Sequence, residues 1–394
     1  MNILQKLYPQ NDEKMIEVKL DKEHFPFKLL AHKTTVEDFI QGKIINPIHC
    51  RIGLTNKCNL RCKFCNFHSE NEKDFYDEFS FEDFMDKDRM ISFLDDFSKN
   101  GGKAITLCGS GEPTIHPDYV EICEYANKVG IQIGLITNGS MLTNEKILNC
   151  IKKTHTWVRV GLNAGSQETY SRITSTTIYK FSAILEAVSK LKNESAESEF
   201  RIGLNFVITM DNYEEIFVAA EEAKKYGADY IRFEPEFYSA LAHKTIYDHL
   251  EQIELELEKA KELSDAQFEV SIPKLNRGAM TKTDQIEGDF DVCYYSEFVT
   301  ALGANGCMYP CPQIHLNKDY NMGNIEEGYE KWLKGASRDN WKKNHEDRKK
   351  MCKTCFYRPQ NEMLNYLKNG KVKYDEVIKL TQEEYGDIIH RNFV

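Results

Sequence analysis

Six apolar runs recur along the middle of the chain: Ile48–Leu54, Ala104–Leu107, Ile131–Ile136, Trp157–Leu162, Ile202–Met210 and Tyr230–Phe233. Strands covered on both faces read this way, apolar along their length instead of alternating. Between the runs, apolar positions recur at a helical period over Phe81–Lys99, Tyr119–Lys128, Glu145–Lys153, Tyr179–Lys192 and Glu214–Tyr226. Several of these helices end near glycine, at Gly101, Gly130 and Gly227, where a left-handed cap is easiest. Strand and helix in strict alternation predict an α/β fold with a parallel sheet, and six such strands predict an open barrel. In folds of this kind function gathers at the C-terminal ends of the strands.

The flanks read differently. Residues 1–47 are mixed and polar, an N-terminal extension to a barrel at 48–240. Residues 241–285 form a connector with a long charged helix at 241–264 and a strand at Gln267–Ile272. A cysteine-bearing subdomain at 286–360 and a tail at 361–394 complete the division.

Directly after the first apolar run comes Cys58-Asn59-Leu60-Arg61-Cys62-Lys63-Phe64-Cys65. Zinc sites usually take four ligands in two pairs, so three thiolates without a close fourth suit zinc poorly. Three thiolates on a cubane of four irons leave one iron open to a small molecule. The Cys-x3-Cys-x2-Cys pattern with an aromatic before the last cysteine resembles the signature of the radical S-adenosylmethionine (SAM) superfamily. The resemblance implies a partial (β/α)6 TIM-like barrel over about Ile48–Glu236. It also implies a SAM-binding [4Fe-4S] cluster on Cys58, Cys62 and Cys65, and SAM cleaved to methionine and a 5′-deoxyadenosyl radical. A reducing flavodoxin or ferredoxin would supply the electron.

The strand ends carry the other pieces that the resemblance implies. Phe64 would lie near the adenine or simply pack. Gly109-Ser110-Gly111-Glu112 resembles the family's Gly-Gly-Glu motif, with serine for its first glycine; small residues let the backbone approach a ligand, and a carboxylate or carbonyl can accept from SAM's ammonium. Asn138 and Asn163 would meet the ribose or carboxylate of SAM, the alternative being turn chemistry. Arg172 resembles an arginine that reaches SAM's carboxylate, and otherwise is a solvated helix charge. Ile208, or Val207 beside it, would flank the adenine. Glu234 and Glu236, leaving the sixth strand, would face substrate or pair with Arg232.

Five further cysteines follow: Cys293, Cys307, Cys311, Cys352 and Cys355. Together with Gly306 they resemble the twitch subdomain, the short form of the SPASM domain. The resemblance implies an auxiliary [4Fe-4S] cluster on Cys293, Cys311, Cys352 and Cys355. A zinc ribbon is the alternative for the same four thiolates. Cys307 is left as a rival ligand to Cys311, a buried thiol or a hydrogen-atom donor, with Cys108 a lesser candidate donor. Cys50, Cys123 and Cys150 belong to no motif and read as core thiols.

Composition narrows the function classes. The chain has 394 residues, 41% hydrophobic, with a net charge of −11. That balance argues against nucleic acid as the main substrate. No stretch approaches the roughly 20 apolar residues of a membrane helix, and the first residues lack a signal peptide's apolar run. Twelve cysteines in a reducing compartment read as ligands or buried thiols, so the expectation is cytoplasmic. The favoured function is oxidation of a small polar metabolite, a sugar or aminocyclitol, with the auxiliary cluster accepting an electron. A peptide-modifying enzyme and a non-catalytic iron–sulfur electron carrier are the alternatives.

Overall fold

The computed structural model describes residues 27–68, 76–195, 199–236, 248–272, 292–343, 355 and 357–394. The apolar runs form strands β1 (His49–Ile52), β2 (Ala104–Leu107), β3 (Gln132–Thr137), β4 (His155–Gly161), β5 (Arg201–Ile208) and β6 (Tyr230–Pro235). Three more follow: β7 (Glu269–Ser271), β8 (Val299–Leu302) and β9 (Met308–Tyr309). The order across the sheet is β7-β6-β5-β4-β3-β2-β1-β8-β9. Every neighbour from β7 to β8 is parallel, and β9 alone turns back, against β8. The fold is the expected partial TIM-like barrel, enlarged at both edges. β7 extends it beyond β6, and β8 pairs with β1 across some 250 residues of sequence, His49 opposite Val299.

The helices in chain order are α1 (Lys33–Ile40), α2 (Lys87–Lys99), α3 (Tyr119–Lys128), α4 (Glu145–Thr154), α5 (Gln167–Thr174), α6 (Phe181–Glu194), α7 (Ile216–Lys225) and α8 (Leu250–Lys261). The C-terminal part adds α9 (Tyr329–Leu333), α10 (Ala336–Lys343), α11 (Arg358–Lys368) and α12 (Tyr374–Tyr385). α2 starts at Lys87, not at Phe81 as its periodicity predicts. Residues 83–85 instead bond to the chain leaving β1, Asn56 N to Asp83 O at 3.1 Å and Met85 N to Leu54 O at 2.9 Å. The Asp86 side chain then accepts from Arg89 N and caps the helix.

Side chains alternate across the strands. Cys50 and Ile52 are fully buried in the core that also holds Phe93 and Phe97 of α2, while His49 and Arg51 lie on the other face, toward the barrel lumen. Cys123 and Cys150 are core thiols as well. A second core joins Phe27, Leu29 and Phe39 to Phe298, Met363 and Leu364, so residues 27–48 pack against the C-terminal helices.

The N-terminal end of the barrel is closed by the last residues. His49 Nδ1 donates to Val394 O at 2.9 Å, which leaves Nε2 to accept from Thr106 Oγ1 at 2.8 Å. Phe393 sets its ring against His49 and Trp157, centroids 5.6 and 5.5 Å apart. At the opposite end, Glu78 ties the chain after the cysteine loop to the C-terminal part. It accepts from the Tyr309 hydroxyl and from Asn321 Nδ2 at 2.9 Å, and its own N–H donates to Leu316 O at 3.0 Å.

Candidate active site

The cysteine loop leaves β1 and is fixed from three sides. The N–H groups of Arg61 and Lys63 donate to Thr174 O and Ile173 O at 3.2 and 3.1 Å. They satisfy carbonyls that the last turn of α5 leaves unpaired. Asn59 Nδ2 donates to Ser140 Oγ and Tyr179 OH at 2.8 and 2.7 Å. The third restraint is the backbone after β2. Glu112 N donates to Lys57 O at 2.9 Å, and a Cβ on Gly111 would stand 2.2 Å from that carbonyl oxygen.

Within this frame Cys58, Cys62 and Cys65 are half-buried and face one another closely enough for their thiolates to repel. Burial pushes the Cys62 thiol up to about 12, with Cys65 and Cys58 adding to the shift. Cys58 is raised chiefly by burial, against a hydrogen bond from Leu60 N. A cation among the three sulfurs would reverse this penalty. Among the described residues no three His, Cys, Asp or Glu side chains converge to hold a single metal ion. A cubane asks for no such convergence, since each thiolate takes its own iron. One further group fits a cluster here. Tyr170 is fully buried, its hydroxyl lacks a hydrogen-bond partner, and it lies within the field of Cys62 and Cys58.

Glu112 is almost fully buried and committed. Its Oε1 accepts from Thr114 N at 3.1 Å, Thr114 Oγ1 at 2.5 Å and Thr137 Oγ1 at 2.6 Å, and its Oε2 accepts from Asn138 N at 2.7 Å. The carboxylate thus locks the ends of β2 and β3 together. Ser110 Oγ donates to Asn56 Oδ1, whose amide in turn holds Ser80 O and Asp83. Small size at Gly109 matches its approach to the Gly53 backbone, 3.0 Å from an added Cβ.

The remaining expected SAM contacts divide. Asn138 reaches the cysteine loop, donating from Nδ2 to Asn59 Oδ1 at 2.9 Å and toward Cys58 Sγ at 3.8 Å. Asn163 holds a left-handed backbone (φ 56°), and its Oδ1 accepts from Val207 N at 2.8 Å. Arg172 donates to Asp211 O at 2.7 Å and shares the Asp211 carboxylate with Lys63 of the cysteine loop. Phe64 is half-buried in the turn between Cys62 and Cys65. Ile208 is a correction. It is fully buried on the helix-facing side of β5, because alternation along the strand gives the lumen position to the half-buried Val207. Glu234 is ion-paired with Arg232.

Of the C-terminal cysteines, Cys352 lies outside the described residues. Cys311 and Cys355 both act on the phenols of Tyr295 and Tyr357, whose rings stack at 4.2 Å. Cys293 is half-buried on the same second core, its carbonyl accepting from Ser296 Oγ at 2.8 Å. Cys307 sits apart, in the turn between β8 and β9. There Asn324 Nδ2 lies 3.6 Å from its sulfur, and burial raises its pKa against the hydrogen bond from Asn321. None of the described cysteines is in a disulfide.

Arg51, His315 and Asn205 are polar residues of the interior that belong to no sequence motif. Arg51 on β1 reaches the surroundings of Tyr357, Cys108, Tyr295 and Cys311. His315 and Asn205 each bury one polar atom, Nε2 and Oδ1, without a partner. A cavity of about 260 Å³ lined by Phe39, Glu297, Arg338 and Lys368 lies away from all of these, between the N-terminal and C-terminal helices.

Comparison with known proteins bears on the domain that carries these residues. Residues 52–221 match the Radical SAM superfamily model, and the chain carries a radical SAM domain of that superfamily. It is 30% identical over 186 residues to the tungsten-containing aldehyde ferredoxin oxidoreductase cofactor-modifying protein of Pyrococcus furiosus, covering 45% of this chain and 48% of that one. It is also 30% identical over 214 residues to a probable GTP 3′,8-cyclase of Saccharolobus islandicus, covering 53% and 64%. The chain thus spans about half to two thirds of the length of these relatives. Among solved structures, Streptococcus suis SuiB bound to S-adenosylmethionine superimposes with a TM-score of 0.57 at 14% identity, over 82% of this chain and 74% of that one. The anSMEcpe structure with bound AdoMet gives 0.52 at 16%, over 86% and 99%. At such identities the likeness is one of fold. The superfamily's cofactors are a [4Fe-4S] cluster and SAM, and the three grouped thiols, the close-packed glycine turn and the orphaned Tyr170 hydroxyl fit a cluster at Cys58, Cys62 and Cys65. Among the described residues no helix is long and apolar enough to cross a membrane.

Proposed function

We propose that the protein is a radical SAM enzyme acting on a small polar metabolite, with an auxiliary cluster at its C-terminal cysteines. The observation that carries this reading is the grouping of Cys58, Cys62 and Cys65 at the C-terminal ends of the strands, clamped by Gly111 and Asn138. When bound, the cluster and SAM supply the electron and the 5′-deoxyadenosyl radical that takes a hydrogen from substrate. The protein's own part is orientation and the exclusion of water. Glu112 and Asn138 hold the SAM side of the mouth, and the Glu78 contacts hold the C-terminal part over it.

Cys293, Cys311, Cys352 and Cys355 are the ligand set we assign to the auxiliary cluster. The common neighbourhood of Cys311 and Cys355 supports it, and the separate asparagine-lined position of Cys307 favours Cys311 over Cys307. Four thiolates leave no iron open, which suits accepting an electron from the substrate radical that remains after hydrogen abstraction. A flavodoxin or ferredoxin is the reductant in this reading.

The test is anaerobic reconstitution followed by reduction with dithionite in the presence of SAM. 5′-Deoxyadenosine should form, at a rate lost when Cys58, Cys62 and Cys65 are all replaced by alanine. With deuterated substrate, oxidation gives a product lighter by two hydrogens and one deuterium in the 5′-deoxyadenosine. A cross-linked peptide product would move the enzyme to the peptide-modifying class, and absence of SAM cleavage would leave an electron carrier.

A further inference from the structure

Arg51 is a cation in an unusual place. It sits at a lumen-facing position of β1, in register with Thr106 of β2 and Ala301 of β8. The residue keeps some accessible surface, and the Tyr357 phenol beside it favours its charge more than burial opposes it. Among the described residues it makes no salt bridge. Its principal neighbours are the Tyr357 phenol, the Cys108 thiol, Tyr295 and Cys311. A guanidinium partly withdrawn from water with no carboxylate beside it leaves paired donors open to an anionic ligand.

His315 lies within reach of the same guanidinium. Its Nδ1 lies 2.7 Å from Pro312 O, and a carbonyl only accepts, so Nδ1 carries the proton and Nε2 the lone pair. Nε2 is buried and has no partner. Arg51 is close enough to act on this imidazole, which burial already holds neutral. The ring is also set against Phe67, two residues past Cys65, and against Tyr309, at 5.7 and 6.4 Å. The pair therefore lies between the first cysteine loop and the turn that bears Cys311.

We propose that Arg51 and His315 form the substrate subsite, and that the substrate is a small anion carrying a hydroxyl or amine. Its anionic group, a carboxylate or a phosphate ester, sits on the Arg51 guanidinium, and its hydroxyl or amine hydrogen is donated to His315 Nε2. This deepens the proposed function and rests on it. A guanidinium offers paired N–H donors to either anion, while the orphaned imidazole supplies what a hydroxyl needs and a plain anion does not use.

The experiment measures binding without turnover. Full-length protein, anaerobically reconstituted and saturated with SAM, is titrated calorimetrically with acetate, glycolate and inorganic phosphate. Wild type should bind glycolate or phosphate at least about tenfold more tightly than Arg51→Gln, and Arg51→Lys should keep most of that affinity. Tighter glycolate assigns a carboxylate, tighter phosphate a phosphate ester. His315→Phe keeps the ring but not the lone pair, and should lose the preference for glycolate over acetate. Equal affinities in wild type and Arg51→Gln, or no binding even at millimolar concentrations, overturn the proposal. An altered auxiliary-cluster resonance in Arg51→Gln with anion affinity unchanged also overturns it, making Arg51 the counter-ion of that cluster. SAM cleavage measured in the same preparation tests the enzyme class separately.

Discussion

Gly111 and Lys57 touch through their backbones: a Cβ on Gly111 would lie 2.2 Å from the Lys57 carbonyl oxygen and 2.4 Å from that of Thr55. Neither obstacle is a flexible side-chain end, so Gly111→Ala must displace the cysteine loop. Overpacking of this kind costs about 1–3 kcal/mol or more. We expect a lowered melting temperature and a loss of iron from the reconstituted protein, with the C-terminal cluster retained. Full iron content and unchanged stability in Gly111→Ala would show that the loop yields freely.

The iron content separates the two cysteine groups. Wild type should carry about eight irons, from two four-iron clusters. Replacing Cys58, Cys62 and Cys65 with alanine should leave about four. Replacing Cys311 and Cys355 should leave about four as well, with SAM cleavage intact in the absence of substrate. Four irons and one zinc in wild type would instead make the C-terminal set a zinc site.

Glu112 illustrates what was legible in the sequence and what was not. The glycine-rich turn and the cysteine spacing are local patterns, so the position of the site at the strand ends followed directly. The use of the carboxylate did not, because its four donors come from Thr114, Thr137 and Asn138, two of them on the next strand and loop. Glu112→Gln keeps the shape but turns an amide donor toward groups that themselves donate. Leaving such groups unmet costs about 1–3 kcal/mol. Chemical denaturation should show that loss, whereas a purely ligand-binding glutamate would leave stability unchanged.

The lumen residues were missed for a different reason. Ile48–Leu54 reads as one apolar run, and the two polar positions inside it, His49 and Arg51, were absorbed by the average. Their spacing of two is the strand period, and it marks a polar inner face. The same signal recurs on β6 as Arg232 and Glu234. The pairing of β1 with β8 has no local signature at all, since neither strand's sequence names a partner so far along the chain.

Acid should weaken the fold through its buried histidines. Burial holds His49 and His155 down to about 3, and His315 and His390 to about 4. Unfolded, they titrate near about 6.5. Above that value neither state binds the proton and their contribution to stability is complete. As pH falls from about 6.5 toward 4, the unfolded chain takes up protons that the folded chain refuses, and stability is lost. Each histidine adds a slope of up to about 1.4 kcal/mol per pH unit. Glu112 opposes this, since burial raises its carboxyl and protonation relieves the penalty. Comparing wild type with His49→Gln between pH 7.5 and 5, in cluster-free protein, isolates one histidine. The variant should show the shallower decline, and equal slopes would mean that His49 is protonated when folded.

Tyr170 gives the sharpest test of the site's occupant, because its hydroxyl is a liability without one. It is fully buried with no partner for the oxygen, beside Cys62 and Cys58. An unmet buried hydroxyl costs about 1–3 kcal/mol. In cluster-free protein, Tyr170→Phe should therefore be neutral or stabilising. In reconstituted protein the hydroxyl gains sulfur acceptors, so the same substitution should become destabilising, and it should lower the reduction potential of the cluster, since hydrogen bonds to the sulfurs help set it. Thermal melts of both forms, with and without iron, read the sign directly. A change of the same sign and size in both states, with the potential unmoved, would mean that the Tyr170 hydroxyl does not meet the cluster.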